Sequence, residues 1–112
     1  MDKYQQIVSD YYNFFNESNH EALLQLLTED VVHDINQGQA DIGREAFAKF
    51  LVHMDECYRE QICDLVVFPA NGKRVAAESF VEGCYLKTDP GLADYDIDTP
   101  AKRQTYRLRV GA

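Results

Sequence analysis

The sequence predicts an α+β domain in which a cone-shaped, curved antiparallel sheet wraps around three N-terminal helices. Apolar residues recur with helical spacing over the first half of the chain and with a period of two over the second half. A length of 112 residues suits a single domain over residues 1–112, because a second independent core would need more chain. Since the helices come first and the strands follow, we expect the helices to cover one face of the sheet.

The composition argues against several classes of protein. A hydrophobic fraction of 46% is that of a folded globular domain. The net charge of −8 disfavours nucleic acid and anionic membranes as partners, because both attract basic surfaces. The sequence has neither a bilayer-spanning apolar stretch nor a signal-peptide pattern. Its three cysteines lack a CxxC spacing, which predicts reduced thiols and a cytoplasmic location.

The helices are predicted from the spacing of apolar side chains. Residues 4–15 carry one apolar stripe. Ser18 and Glu21 have the form of a capping box at the start of a short, leucine-rich second helix. A 3-4-3-4 spacing over residues 44–58 predicts the third helix, with Gly43 at its N-cap.

The strands are predicted from β-branched residues and alternation. A first strand is expected over residues 30–35, between the second and third helices. Residues 61–68 and 74–86 alternate with a period of two, and Asn71 and Gly72 between them favour a hairpin turn.

The rest of the chain completes the predicted sheet. Gly83 inside a long strand indicates a bulge or bend. Residues 88–102 are acidic and contain an Asp-Pro-Gly sequence, so they are expected to form a loop. Residues 105–110 alternate again and predict the last strand.

Several segments resemble a known superfamily. Residues 26–32 and 42–47 are similar to the opening of the nuclear transport factor 2-like superfamily, which includes ketosteroid isomerases and SnoaL-like polyketide cyclases. Residues 33–38, 74–78 and 83–92 resemble, more narrowly, the ketosteroid isomerase-related proteins of that superfamily. The resemblance implies the α+β fold above with a pocket between helices and sheet, and it leaves the activity open, since one fold hosts many functions.

The chain departs from the resembled group at its C-terminal part. Residues 93–103 are divergent and acidic where relatives have a shorter linker, and the chain stops at Ala112 where relatives continue into a further strand. The resemblance therefore implies a C-terminally truncated sheet with an open edge. Three outcomes are possible for that edge. Another copy of the chain fills it, the rerouted segment 93–112 fills it, or the edge stays open in a weakened fold.

Ketosteroid isomerase chemistry carries over poorly. It uses a carboxylate base, a Tyr donor and a protonated Asp donor. Tyr11 matches the Tyr donor, but the base position falls on Ile35, and Asp34 beside it points to the opposite strand face. Residues 105–112 contain no acid at all. Steroid isomerisation is therefore not predicted.

Four residues are candidates for proton transfer. His33 is expected to act as a general base in the pocket, or else to be a hydrogen-bonded His at a strand end. Tyr11 and a carboxylate, either Asp34 or Glu78, would join it; the alternative is that both carboxylates are solvated. His53 lies off the apolar stripe of the third helix and is expected to be partly exposed. An adjacent His-Asp pair does not chelate, and we expect neither a metal nor another cofactor.

The candidate ligand-binding residues are polar or aromatic side chains near the expected pocket. For each, a structural role in the core or a loop is the alternative. They are Tyr12, Asn36, Gln37, Tyr85 and Tyr106.

Two functions stay open. The first is an enzyme that carries out proton transfer on a small molecule, such as isomerisation, cyclisation or hydration. The second is a non-catalytic ligand-binding or homo-oligomerisation domain, with a homodimer or strand-exchanged oligomer as the expected assembly. The enzyme hypothesis requires His33, Tyr11 and a carboxylate to face one cavity.

Overall fold

The computed structural model describes residues 1–35, 39–69 and 71–112 and confirms the α+β architecture. None of the helices that it describes is long and apolar enough to cross a membrane. In chain order, the elements are α1 (Lys3–Asn16), α2 (His20–Gln25), β1 (Val32–Asp34), β2 (Ala40–Ile42), α3 (Arg44–Cys57), β3 (Tyr58–Pro69), β4 (Val75–Tyr85), a 3-10 helix (Pro90–Tyr95) and β5 (Thr105–Gly111).

The strands form two antiparallel sheets, one of order β1-β2 and one of order β3-β4-β5. The predicted first strand is shorter than expected and pairs with β2, with Val32 opposite Ile42 and Asp34 opposite Ala40. The sequence analysis did not predict β2, because three residues are too few to show an alternating pattern. Helix α1 packs against β3, and α3 packs against β2 and β3.

The core lies between the helices and one face of the larger sheet. Leu23, Phe47 and Leu51 are almost fully buried at the helix junction. In β4, alternate residues are buried, which defines an inner face toward the helices and an outer face toward solvent. The buried residues of that inner face are Ala77, Ser79, Val81 and Tyr85.

The predicted capping box at Ser18 and Glu21 is wrong. The N-cap of α2 is Asn19, whose side chain accepts a hydrogen bond from the Ala22 N–H at 3.3 Å. Because the helix begins one residue later than expected, Glu21 is not at the third helical position that a capping box requires. Gly43, in contrast, is the N-cap of α3 as predicted, with a φ of 101° that favours glycine.

The bulge predicted at Gly83 is also wrong. The register of the β3-β4 pair shifts between Cys63 and Val66, whereas Gly83 pairs regularly with Glu60 on one side and Tyr106 on the other. The Tyr106 ring lies across Gly83, where an added Cβ would come within 2.2 Å of the ring atom Cζ. The glycine is therefore required for a close side-chain approach rather than for a bend.

The predicted loop over residues 88–102 is more ordered than expected. Its 3-10 helix, Pro90–Tyr95, begins after Asp89, whose side chain accepts from the Gly91 N–H at 2.8 Å. The Tyr85 hydroxyl accepts from the Asp89 N–H and donates to the Thr99 carbonyl, both at 2.8 Å. These bonds fasten the segment to β4, because a buried hydroxyl uses both its donor and its acceptor capacity.

The last predicted strand is present as β5, Thr105–Gly111. Within the described part of the chain, β5 pairs with β4 alone. The Ala112 backbone continues the pairing by exchanging hydrogen bonds with Ala77 at 2.7 and 2.9 Å. Completion of the sheet by a second copy stays a prediction.

We expect Gly83→Ala to lower the free energy of unfolding by about 1 to 3 kcal/mol, because the new Cβ must displace the Tyr106 ring. Urea unfolding measures this loss. Gly111→Ala is the matched control, since its Cβ would lie 3.7 Å from its nearest neighbour, the Ala77 carbonyl oxygen. Equal losses in the two variants would contradict the steric explanation.

Candidate functional site

A cavity of about 770 Å³ lies between α3, the inner face of the β3-β4-β5 sheet and the 3-10 helix with the residues that follow it. Its lining combines a set of apolar side chains with a set of acids, a histidine and tyrosines, which we call the apolar wall and the polar wall. We call this space the main cavity. The apolar residues are Ile35, Phe50, Met54, Leu92, Ile97 and Leu108, and the main polar ones are His53, Tyr58, Glu60, Tyr85, Asp89 and Tyr106.

The Asp89 carboxylate is the most heavily hydrogen-bonded group of the polar wall. Its Oδ2 accepts from the Tyr58 hydroxyl at 2.8 Å, and its Oδ1 accepts from the Gly91 N–H at 2.8 Å. The Nε2 atom of His53 lies 2.9 Å from the same Oδ1. The Asp89 side chain is only 10% exposed, so these contacts replace most of its hydration.

These contacts define the protonation states of Asp89 and Tyr58. Burial alone would raise the pKa of Asp89, but the hydrogen bonds from Tyr58 and Gly91 and the proximity of His53 outweigh burial and lower it. Burial, together with the hydrogen bond to the Asp89 carboxylate, raises the pKa of Tyr58. At neutral pH Asp89 is therefore a carboxylate and Tyr58 a neutral phenol that donates to it.

Tyr58 and Tyr85 form the aromatic part of the polar wall. Their rings are stacked, with centroids 5.3 Å apart and planes 16° apart. They are direct partners across β3 and β4, which explains the stacking. Because the Tyr85 hydroxyl is already bonded on both sides, Tyr85 presents its ring rather than its hydroxyl to the cavity.

A second carboxylate, Glu60, lies on the same wall. The Tyr106 hydroxyl donates to its Oε2 at 2.5 Å, across the bare backbone of Gly83. Burial and the adjacent Glu60 carboxylate raise the pKa of Tyr106, which keeps the phenol protonated as the donor. Among the described residues, the other oxygen of Glu60, Oε1, makes no hydrogen bond and is available to a ligand.

A smaller cavity of about 550 Å³ contains several of the residues predicted from sequence. It lies between α1, the α2–β1 connection and the end of the sheet, and we call it the second cavity. Its polar residues are Tyr11, Tyr12, His33 and Asp34. The carboxylate that accompanies His33 and Tyr11 is therefore Asp34.

His33 forms part of the wall between the two cavities. Its ring meets Phe47 and Phe50 edge-on, with centroids 4.9 and 4.8 Å away. Its Nδ1 is buried and has no hydrogen-bond partner in the part of the chain that the structure describes. Burial lowers the pKa of His33, although the charges of Asp41 and Asp34 oppose the shift.

The two tyrosines of α1 are packed against each other and the core. Tyr11 and Tyr12 meet edge-on at 5.0 Å, and the Tyr11 ring lies 6.3 Å from that of Phe47. Burial, with a smaller contribution from Tyr12, raises the pKa of Tyr11 to about 12. Burial also raises the pKa of Tyr12. Both phenols are therefore neutral donors at physiological pH.

The other predicted residues fall into different positions. Glu78 does not join His33 and Tyr11: it lies exposed on the outer face of β4, with its Oε1 3.3 Å from Nε of Arg109. The period of a strand explains this, because its neighbours in the chain occupy the buried face. Tyr85 and Tyr106 line the main cavity. Asn36 and Gln37 lie outside the described residues.

Sequence reasoning missed the chief polar residues of the main cavity. Tyr58 and Glu60 alternate on one face of β3, but the predicted strand began after both of them. Asp89 lay in a segment expected to be a loop, and His53 was expected only to be partly exposed. The signal for the Glu60–Tyr106 pair was Gly83, since a glycine within a strand also marks close approach of a neighbouring group.

An α+β fold of three helices and antiparallel sheets, with a cavity between them, is that of the nuclear transport factor 2-like class. The family of SnoaL-like domains matches residues 8–112. The chain therefore belongs to the SnoaL-like domain family.

Three solved structures are similar over nearly the whole chain, and each has been described as a proposed polyketide cyclase. The protein from Xanthomonas campestris pv. campestris is 44% identical, with 96% of this chain and 76% of that chain covered and a TM-score of 0.86. The Pseudomonas putida protein is 43% identical, with coverages of 99% and 80% and a TM-score of 0.88. The protein from a Silicibacter species is 37% identical, with coverages of 96% and 75% and a TM-score of 0.87. No curated protein is significantly similar to the chain.

We expect protonation of His33 to destabilise the fold, because burial lowers the pKa of this residue. The stability that neutral His33 provides is fully present above about pH 6.5, the ordinary pKa, and is lost as the pH falls through the lowered pKa. Urea unfolding at about pH 7.5 and about pH 5.5 should show a smaller acid-induced loss in His33→Phe than in the original chain.

His20→Gln is the control for this measurement, since the His20 side chain is 27% exposed and lies 3.0 Å from Asp55. The control should not reduce the acid-induced loss. An unchanged loss in His33→Phe would show that other groups cause it.

Proposed function

We propose that the chain is a small-molecule enzyme that moves a proton beside a carbonyl group, in the manner of an isomerase or cyclase. The observation that carries the proposal is the Glu60 carboxylate in the main cavity, held at one oxygen by Tyr106 and free at the other among the described residues. A general base needs this arrangement, with one oxygen fixed and one oxygen presented to the substrate.

The polar wall also contains a candidate hydrogen-bond donor, Tyr58, for the intermediate that forms after the proton has left. Removal of a proton beside a carbonyl produces an enolate, whose oxygen must be stabilised by hydrogen-bond donors. Tyr58 lies two residues before Glu60 on the same face of β3, which separates the two by about 6 to 7 Å. Without a substrate, the single Tyr58 O–H donates to Asp89, which holds the phenol in place. A substrate carbonyl would have to accept this O–H in place of Asp89, and its neighbouring carbon would then lie close to Glu60.

The apolar wall favours a substrate with a flat hydrocarbon framework. Phe50, Met54 and Leu108 line the same cavity as the acids, and its volume of about 770 Å³ suits a compound of drug size. Three relatives, 37–44% identical, have been described as proposed polyketide cyclases. Polyketides carry repeated carbonyl groups, so we propose a polyketide-like compound as the substrate class.

The candidates predicted from sequence keep distinct proposed roles. His33, Tyr11 and Asp34 remain proposed catalytic residues of the second cavity, with Tyr12 as a ligand contact. The contact of His33 with two Phe rings favours a structural role in the dividing wall. Tyr85 and Tyr106 are proposed ligand contacts of the main cavity, and Glu78 is the weakest catalytic candidate because of its exposure.

We expect Glu60→Gln to slow proton transfer by about 10²- to 10⁴-fold, because an amide cannot act as the base. The measurement is deuterium incorporation beside the carbonyl of aromatic β-diketones in D₂O, followed by NMR, which detects proton abstraction without knowledge of the final product. Glu78→Gln is the matched control and should retain the exchange rate, since Glu78 lies on the outer face.

The outcome that would sink the proposal is equal exchange by the original chain and by Glu60→Gln. A compound that binds in the main cavity without any exchange would instead favour the non-catalytic ligand-binding domain. Loss of exchange in Glu78→Gln would return the catalytic role to the residue predicted from sequence.

We also propose the homodimer as the assembly, supported by exposed apolar residues on the outer face of the sheet. Val66 and Phe68 are 49% and 45% exposed, next to each other on that face. Burial of such a patch against its copy would remove apolar surface from water.

Light scattering should give the mass of two chains, and Phe68→Asp should give the mass of one, because a buried charge opposes association. Val52→Asp is the control, since Val52 is 54% exposed on α3, away from this patch. A monomeric original chain, or equal effects of the two substitutions, would contradict the homodimer through this face.

A further inference from the structure

Three side chains with metal-binding atoms converge at the edge of the main cavity. The imidazole of His53, the thiol of Cys57 and the carboxylate of Asp89 offer ligand atoms that all lie within 4.8 Å of one another. We infer that these three residues form a binding site for a divalent metal ion of the zinc class. The inference does not rest on the proposed proton transfer.

The positions of the residues follow from the fold. His53 and Cys57 are four residues apart on α3, so they lie on the same helix face, one turn apart. Asp89 reaches them from the N-cap position of the 3-10 helix. The four-residue spacing was visible in the sequence, but the expectation of no metal overlooked it. The third ligand comes from a distant part of the chain.

The chemistry of the three groups favours zinc or cobalt over magnesium or calcium. Thiolate and imidazole are soft or intermediate ligands, whereas the alkaline-earth ions require mostly oxygen ligands. Ligand atoms around tetrahedral zinc lie about 3.3 to 3.8 Å apart, so the cluster needs to close by only about 1 Å. Binding would release the Cys57 proton to solvent, and the resulting thiolate and the Asp89 carboxylate would balance the charge of the ion.

The surroundings support the cluster as a prepared site. The Tyr58 hydroxyl and the Gly91 N–H already orient the Asp89 carboxylate, and both contacts are compatible with a metal at Oδ1 in place of the His53 hydrogen bond. Cys57 is 2% exposed, which shields the thiolate from solvent. His53 and Asp89 line the main cavity, so a fourth coordination position would face it.

The test uses the full chain, reduced, treated with a chelator and then titrated with Co²⁺. We expect one ion per chain and a thiolate-to-cobalt charge-transfer band, which Zn²⁺ abolishes by displacement. Cys57→Ser should abolish the band. Tyr58→Phe keeps all three ligands but frees the carboxylate, and it should weaken Zn²⁺ affinity by about 10- to 100-fold.

Controls separate this site from adventitious thiol binding. Cys63→Ser and Cys84→Ser remove the other two free thiols and should leave the band unchanged. If Cys57→Ser does not fold, His53→Gln provides the second variant, because the less buried His53 can be replaced with the core intact; it should weaken Co²⁺ affinity at least about 100-fold. No charge-transfer band at saturating Co²⁺, or a band lost in Cys63→Ser or Cys84→Ser instead, would overturn the inference.

Discussion

The Asp89 carboxylate joins three parts of the fold at one point. One oxygen accepts from the Tyr58 hydroxyl of β3, and the other contacts His53 of α3 and accepts from the Gly91 N–H of its own 3-10 helix. An almost buried carboxylate is tolerated only when such partners replace its water. The same bonds hold the Asp-Pro-Gly segment over the sheet and so create one side of the main cavity. Stability and site geometry therefore depend on one ionised group.

A second constraint is a missing side chain. Gly83 lies between Glu60 and Tyr106 across three strands, and its lack of a Cβ lets the Tyr106 phenol reach the carboxylate two strands away. The sheet thereby positions an acid and its hydrogen-bond donor with the precision of backbone pairing. Rigid strands are a better support for such a pair than a loop, because their register determines which side chains are neighbours.

The two cavities differ in the polar side chains that line them. The second cavity is bordered by neutral phenols, by Asp34 and by His33, whose ring contacts Phe47 and Phe50. The main cavity is lined by the Asp89 carboxylate, by Glu60 and by His53, and Cys57, the third member of the His-Cys-Asp cluster, is buried beside His53 and Asp89. Membership of the SnoaL-like family is consistent with a small-molecule pocket.

The sequence by itself determined the α+β class, the three helices, the hairpin and the last strand, because apolar periodicity records which side of each element is buried. It also indicated Tyr106 and Tyr85 as pocket residues. It left open whether Glu78 faces the pocket or solvent, since alternation separates two strand faces without saying which one the helices cover. The tertiary structure alone brings Glu60, His53 and Asp89 to one cavity, with Cys57 close to the last two. These residues come from segments that are far apart in the chain, and contacts between distant segments leave no local pattern in the sequence.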